Sequence, residues 1–415
     1  MRAIYGFLRL VLFATLALFG SASAQVAVDI GGSVEAHFGV AVDGTLPVTA
    51  ALLDLTLSGE IGAGLFPDAS FSATLEAGYD ASSGDMWLGL DEAYGDLYLG
   101  DVDLSVGLRR LSWGSTDGVN PVDVLNPRDL SFPPAARKIA VPLLHASYYP
   151  SREVRLEAVV VPVFTPSELP GERWRAAQMP AASAPVPGVN VVGSLPPEVQ
   201  LPGAELGNVQ FGVRLTGLLN GGDVSATYFH GFRNEPTPHA TLVPGEAPAT
   251  FMLQPLLSYD RIDLIGLDFS ATIGEVVLRG EAAYVFTGDP TGSDPAIGNH
   301  SLQAVLGGDY LIPGGPRAIV QGIFDYRAAD AGESAETTFK TMTALSYQAG
   351  ARTQLDLGWL QSLDGSGALL PSVGYTLADG VTGEASAYVF YGARGTEFGG
   401  WRENAQLRLA LKYSF

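Results

Sequence analysis

The chain of 415 residues has no cysteine. Disulfide staples are excluded, so stability must come from packing and backbone hydrogen bonding. Lysine is nearly absent: Lys138, Lys340 and Lys412 stand against 20 arginines. There are five histidines, His37, His145, His230, His239 and His300. Acid outweighs base, and the net charge is −21. Nucleic acid is excluded as a partner, because phosphate binding needs a basic face. After Phe19 no apolar run approaches the ~20 residues of a membrane-spanning helix. Gly-x-Ser-x-Gly, His-Glu-x-x-His and phosphate-loop patterns are missing too, and the chain reads as a non-enzyme with no cofactor.

What is present begins with an export signal. Arg2 and Arg9 precede an apolar run that ends at Phe19, and Ala22-Ser23-Ala24 offers a cleavage site before Gln25. Residues 1–24 read as a removable signal peptide. Residues 25–415 read as one domain. Throughout it, apolar and polar residues alternate: Val34, Ala36, Phe38 and Val40 against Glu35 and His37; Leu53, Leu55 and Leu57 against Asp54 and Thr56; Leu104, Val106 and Leu108 against Ser105 and Arg109. A strand turns successive side chains to opposite faces, so each run is a strand with one apolar and one wet face. Runs of about ten to thirteen residues suit tilted strands crossing hydrocarbon. Around Ile265 the alternation slips, which reads as a bulge.

The last run is Gln406 to Phe415, with Leu407, Leu409, Leu411, Tyr413 and Phe415 on one face. It resembles the closing strand of bacterial outer-membrane barrels. In that group the terminal aromatic belongs to the signal read by the insertion machinery. The resemblance implies an all-β, antiparallel, up-and-down transmembrane barrel in the outer membrane of a Gram-negative-type envelope. The tally is about 18 strands, with 16 as the alternative.

Connections alternate between short turns, such as Gly100-Asp101 and Asn220-Gly221, and long segments at 114–140, 165–207 and 234–250. Short periplasmic turns and long outer loops are the outer-membrane pattern. The stretch 165–207 is rich in proline, which argues against ladder pairing there. It reads as an extended outer loop or as a lid folding into the mouth.

The segment after the fifth strand, the third long-side loop, is different in kind. It runs Trp113-Gly114, then Asp117, then Asn120-Pro121-Val122-Asp123 and Asn126-Pro127-Arg128-Asp129. Each Asn-Pro-x-Asp specifies a tight turn. This motif resembles an uncharacterised family of Gram-negative outer-membrane barrels, a domain of unknown function associated with lipid-like or other hydrophobic compounds. The family lends a fold and a location but no settled substrate. By analogy with trimeric porins, whose third loop narrows the pore, Asp117, Asp123 and Asp129 would face Arg109 and Arg128 across a constriction. Two other readings stay open. The side chains could cap their own turns and pin the loop to the wall. Or Asp117, Asp123 and Asp129, with Asn120 and Asn126, could supply oxygens to Ca²⁺.

Alternation points Arg109, Arg155, Glu157, Arg214, Arg279, Glu281, Asp325, Arg327 and Arg408 inward, since charge on the lipid face costs about 2–4 kcal/mol at the midplane. Glu35, Glu60, Glu76 and Lys412 fall on the same side. The function this supports is a channel, monomeric or trimeric, for small solutes, with hydrophobic or lipid-like ones included. Mixed lumen charge under an acidic total favours cations or neutral solutes. The competing readings are a structural, adhesive or lipid-handling barrel without an open pore and, last, a lipid hydrolase using His145 near Ser147.

Overall fold

The computed structural model describes residues 25–63, 66–81, 83–131, 136–171, 174, 190–294, 297–329 and 334–415. The expected signal peptide, 1–24, lies outside them. The chain forms a closed antiparallel barrel of 18 strands. In order these are β1 (Gln25–Ala41), β2 (Val48–Ala63), β3 (Phe66–Asp80), β4 (Asp85–Leu99), β5 (Val102–Arg109) and β6 (Val141–Ser151). There follow β7 (Val154–Val161), β8 (Gln210–Leu219), β9 (Gly222–Phe232), β10 (Arg261–Ile273), β11 (Val276–Thr287) and β12 (Ser301–Leu311). The last are β13 (Arg317–Arg327), β14 (Glu336–Gln348), β15 (Thr353–Ser362), β16 (Gly367–Ala378), β17 (Val381–Tyr391) and β18 (Gln406–Ser414). Every strand pairs with its sequence neighbours. β18 closes the ring on β1, with Val34 opposite Tyr413 and Phe38 opposite Leu409. Phe415 and Gly32 exchange backbone hydrogen bonds of 3.0 Å, so the last residue is part of the seam. Closure leaves no strand edge to aggregate.

The apolar face of each strand points out. Leu53, Leu55 and Leu57 on β2, Leu215 on β8, Leu267 on β10 and Leu407, Leu409 and Leu411 on β18 are all exposed. A belt of large apolar side chains around the whole circumference exceeds what a water-soluble monomer carries. No helix among the described residues is long and apolar enough to cross a membrane, and barrels cross with strands.

Two local expectations fail. No bulge occurs at Ile265: β10 pairs in unbroken register with β9 and with β11. The alternation looks disrupted because Ile262 and Leu264, both facing inward, are apolar and buried while Ile265 faces out. Irregularities lie elsewhere, in the β3–β4, β6–β7 and β16–β17 ladders and at the end of β2–β3. Ladder pairing also occurs within the described part of 165–207, against the expectation from its proline content. Thr237–Pro244 and Thr250–Ser258 form a hairpin, and Asn190–Ser194 and Glu198–Gln200 add to it in parallel. Those two added strands are proline-free, with Pro196 and Pro197 between them. Pro238 lies on an edge strand of this sheet, where a missing N–H is tolerated.

Connections at the end holding both termini are short; those at the other end include 110–140, 162–209, 233–260 and 392–405. The first of these positions the site.

Candidate functional site

β5 stops at Arg109, and the chain does not resume the wall until Val141. Between them the third loop turns into the barrel. Trp113, Val122 and Leu125 are at most 3% exposed. They pack on inward side chains of four further strands and on Val141 and Leu143 of β6: Val159 and Val161 of β7, Phe229 of β9, Ile262 and Leu264 of β10 and Ala283 of β11. A water-filled lumen calls for polar inner residues. The inner wall is apolar here because the loop covers it, and each large loop side chain so buried contributes roughly 1.5–3 kcal/mol. Two glycines make the fit possible. Gly212 of β8 lies under Trp113, where a Cβ would come within 2.8 Å of the indole. Gly114 has φ +94°, a left-handed conformation that side chains rarely adopt.

Polar pins complete the docking. Glu281 of β11, 4% exposed, accepts the Ser115 and Thr116 N–H at 2.5 Å, the Thr116 hydroxyl at 2.8 Å and the Val122 N–H at 3.3 Å. Asn126, 1% exposed, accepts the Leu111 N–H at 2.8 Å and donates to the carbonyls of Arg109 and Ile139. It thereby ties together the two places where the loop leaves and rejoins the wall. Asn120 donates to the Trp113 carbonyl at 2.9 Å. Asp123 accepts the Trp113 N–H at 3.3 Å, Lys138 Nζ at 2.6 Å and Arg128 at 3.3 Å. Burial pushes the Lys138 ammonium below its ordinary value against the pull of Asp123. Only Asp129 serves its own turn, accepting the Ser131 N–H at 2.9 Å. The two Asn-Pro-x-Asp units thus reach across the loop, instead of each capping itself.

The loop tip crosses to the far wall. Asp117 accepts Arg279 of β11 at 2.5 Å, and Arg279 and Arg317 of β13 both meet Asp309 of β12, at 2.7 and 2.6 Å. Gly118 lies against Met342 of β14. The expected opposition to Arg109 does not occur: that residue pairs with Asp96 at 2.5 Å, its guanidinium over the Tyr94 ring. Arg128 meets Asp123 within its own loop. The three carboxylates Asp117, Asp123 and Asp129 are taken by separate partners, so the Ca²⁺ arrangement fails, and no metal-binding cluster exists among the described residues.

Most other inward charges pair along the wall. Arg214 grips Asp268 through two bonds of 2.7 and 2.9 Å, and Arg155 meets Glu157 at 2.5 Å. Asp325 lies 3.6 Å from Lys340, and Arg408 stacks on Tyr388. Arg327 has no partner among the described residues. His145 Nε2 contacts both Glu157, at 3.2 Å, and Ser147, at 3.5 Å. One nitrogen cannot take a proton from serine and be oriented by the acid at once. Ser147 and Glu157 are also buried, so a substrate has no approach.

A second segment overlies the loop. Glu168 exchanges backbone bonds of 2.9 Å with Leu130 and Arg128, and Arg128 N–H donates to Ser167 Oγ. Glu168 remains exposed, but partial desolvation and the neighbouring Asp129 hold its carboxyl above the usual carboxylate range. Trp174, 6% exposed, is inserted among Phe390, Phe398 and Trp401 on the opposite side of the mouth. Beneath this strap lies a cavity of about 900 Å³, lined by Asn120, Asp123, Asn126 and Arg128 of the third loop together with side chains from β10 to β15. Sequence reasoning missed Gly212, Lys138, Glu168 and Trp174. Two signals were available: Lys138 is one of three lysines, and Trp174 is a lone large aromatic in a proline–alanine stretch.

No match is found among curated proteins. Solved structures with a similar outline include a triple mutant of Rhodopseudomonas blastica porin, 12% identical, covering 94% of this chain and 100% of that one with a TM-score of 0.42. A loop-deletion mutant of OmpT, an outer membrane protein of Vibrio cholerae, is 11% identical, covering 94% and 99%, with a TM-score of 0.43. Likenesses of this strength define neither solute nor assembly. A family model described as "protein of unknown function (DUF1302)" matches residues 17–407, and the chain belongs to that family.

Proposed function

We propose that the protein is an outer-membrane channel for passive passage of small solutes, hydrophobic or lipid-like ones included. The outward apolar belt supports membrane residence, and partners then comprise outer-membrane lipid and, through Phe415, the insertion machinery. Eighteen strands enclose a lumen wide enough for water. The observation that carries the channel reading is the third loop, folded inside that lumen and fixed to its wall by Glu281. A loop that only decorated the surface would need no apolar dock within the barrel. So placed, the loop narrows the lumen, and in this reading it sets the width and charge of the passage.

A second reading has its own observation. Ser167 and Glu168 lie over the third loop while Trp174 is anchored in an aromatic cluster across the mouth, which favours a barrel closed at rest. Reconstitution into planar bilayers separates the two. Discrete open-state steps in the wild type support the channel. Silence in the wild type with steps in W174A supports the closed barrel. Silence in both removes the channel. Monomer and homotrimer are both compatible with this function, and sedimentation in detergent distinguishes them.

A further inference from the structure

Four cationic side chains line the cavity under the strap: Arg128, Arg233, Arg327 and Lys340. Two are neutralised, Arg128 by Asp123 at 3.3 Å and Lys340 by Glu397 at 2.8 Å. Arg233 and Arg327 have neither an ion pair nor a side-chain hydrogen bond among the described residues. For Arg233 this is costly, because its Nε is buried without an acceptor. Asp260, whose Oδ2 accepts Thr237 Oγ1 at 2.5 Å and the Gly298 N–H at 2.8 Å, attracts the Arg233 charge but makes no side-chain hydrogen bond to it. Burial, and after it the charge of Arg327, lower the Arg233 pKa from its ordinary value, against the pull of Asp260 and Glu235. Both guanidiniums line the same cavity, along with the acids Glu235, Asp325 and Glu336, but no acid there forms an ion pair with either. Elsewhere in the lumen the protein supplies an acid to such groups, as at Arg214 and Arg279. Arg233 is partly buried, and a donor such as its Nε, buried without an acceptor, is destabilising unless something else supplies one. Planar forks of this kind recognise oxyanions through paired N–H donors.

We infer that Arg233 and Arg327 form an oxyanion site in the mouth cavity, taking the carboxylate or phosphate group of a solute that enters from the loop side. The pair attracts the anionic group of an arriving molecule before it meets the acid-rich surroundings. The site is then an acceptance step at the mouth, separate from the third-loop constriction. Binding in detergent does not depend on conduction, so a silent barrel and an empty site are separate failures.

The test uses the full mature chain in detergent micelles at low salt, titrated calorimetrically with inorganic phosphate, with butyrate and with dihexanoyl phosphatidic acid. Phosphate and butyrate are expected to bind saturably. R233Q/R327Q weakens both at least tenfold, while R152Q, at a short turn on the opposite end, leaves them unchanged. Phosphatidic acid binding more than tenfold tighter than phosphate assigns the site to a lipid headgroup; equal affinity assigns it to a free solute. Arg327 is exposed, so R327Q alone folds and should weaken binding severalfold if the double variant does not fold. R233Q should melt no lower than wild type without anion and lose the phosphate-induced rise in Tm. No saturable binding of either small anion, or wild-type affinity in R233Q/R327Q, overturns the assignment.

Discussion

Replacing Glu281 with alanine removes the one acceptor that four donors of the third loop share. Hydrogen bonds to a charged acceptor are worth about 1.5–3 kcal/mol each, but a released loop regains water for its N–H groups. The net cost to the docked state is then about 3–5 kcal/mol, well below the sum of the four bonds. At about 1.4 kcal/mol per tenfold, the undocked population rises by roughly two to three and a half orders of magnitude. In E281A, single-channel records should show brief excursions to a larger conductance that the wild type lacks. Limited proteolysis should cut within 115–131 in the variant first. Glutamine at 281 should be intermediate: it keeps the carbonyl acceptor for Ser115 and Thr116 but can set an amide donor against the Val122 N–H. Wild-type current levels and wild-type protease resistance in E281A would refute the claim that this carboxylate holds the loop in place.

Three further outcomes follow from the same geometry. N126A leaves the Leu111 N–H and the Arg109 and Ile139 carbonyls without their buried partner, and should lower unfolding stability in detergent by about 2–4 kcal/mol. G212V drives a side chain into the Trp113 indole; tryptophan emission should shift to the red as the ring is expelled, with no shift in G217V, where no neighbour is met. Glu168 carries a folded-state pKa above its unfolded value, so its contribution is present below about pH 4.3 and lost as pH rises through the raised value. E168Q should therefore melt above the wild type at pH 7 and together with it at pH 4, and a constant difference across that range would remove the Asp129–Glu168 coupling.

The strand faces were legible because a wall with lipid on one side and water on the other imposes a period of two. Leu407, Leu409 and Leu411 are where that rule puts them. It misled where the inside is not wet. Ile262, Leu264 and Leu143 face inward against a loop, so the pattern at Ile265 looked like a slip. The third loop was marked by its tight-turn motif, but its fastening was not. Glu281 lies more than 150 residues away in sequence and meets Ser115 only once the barrel has closed. The charge partners were misassigned for the same reason: Arg109 has an acid, Asp96, on the adjacent strand, closer than anything in the loop. The proline-rich stretch reads as unpaired because proline density averages over short clean segments such as Asn190–Ser194.

Deleting residues 115–134 and recording single-channel current in planar bilayers tests the central claim most directly. A channel narrowed from within by its third loop should show a larger open-state step in the deletion than in the wild type. An unchanged step size in correctly folded deletion barrels would contradict the account.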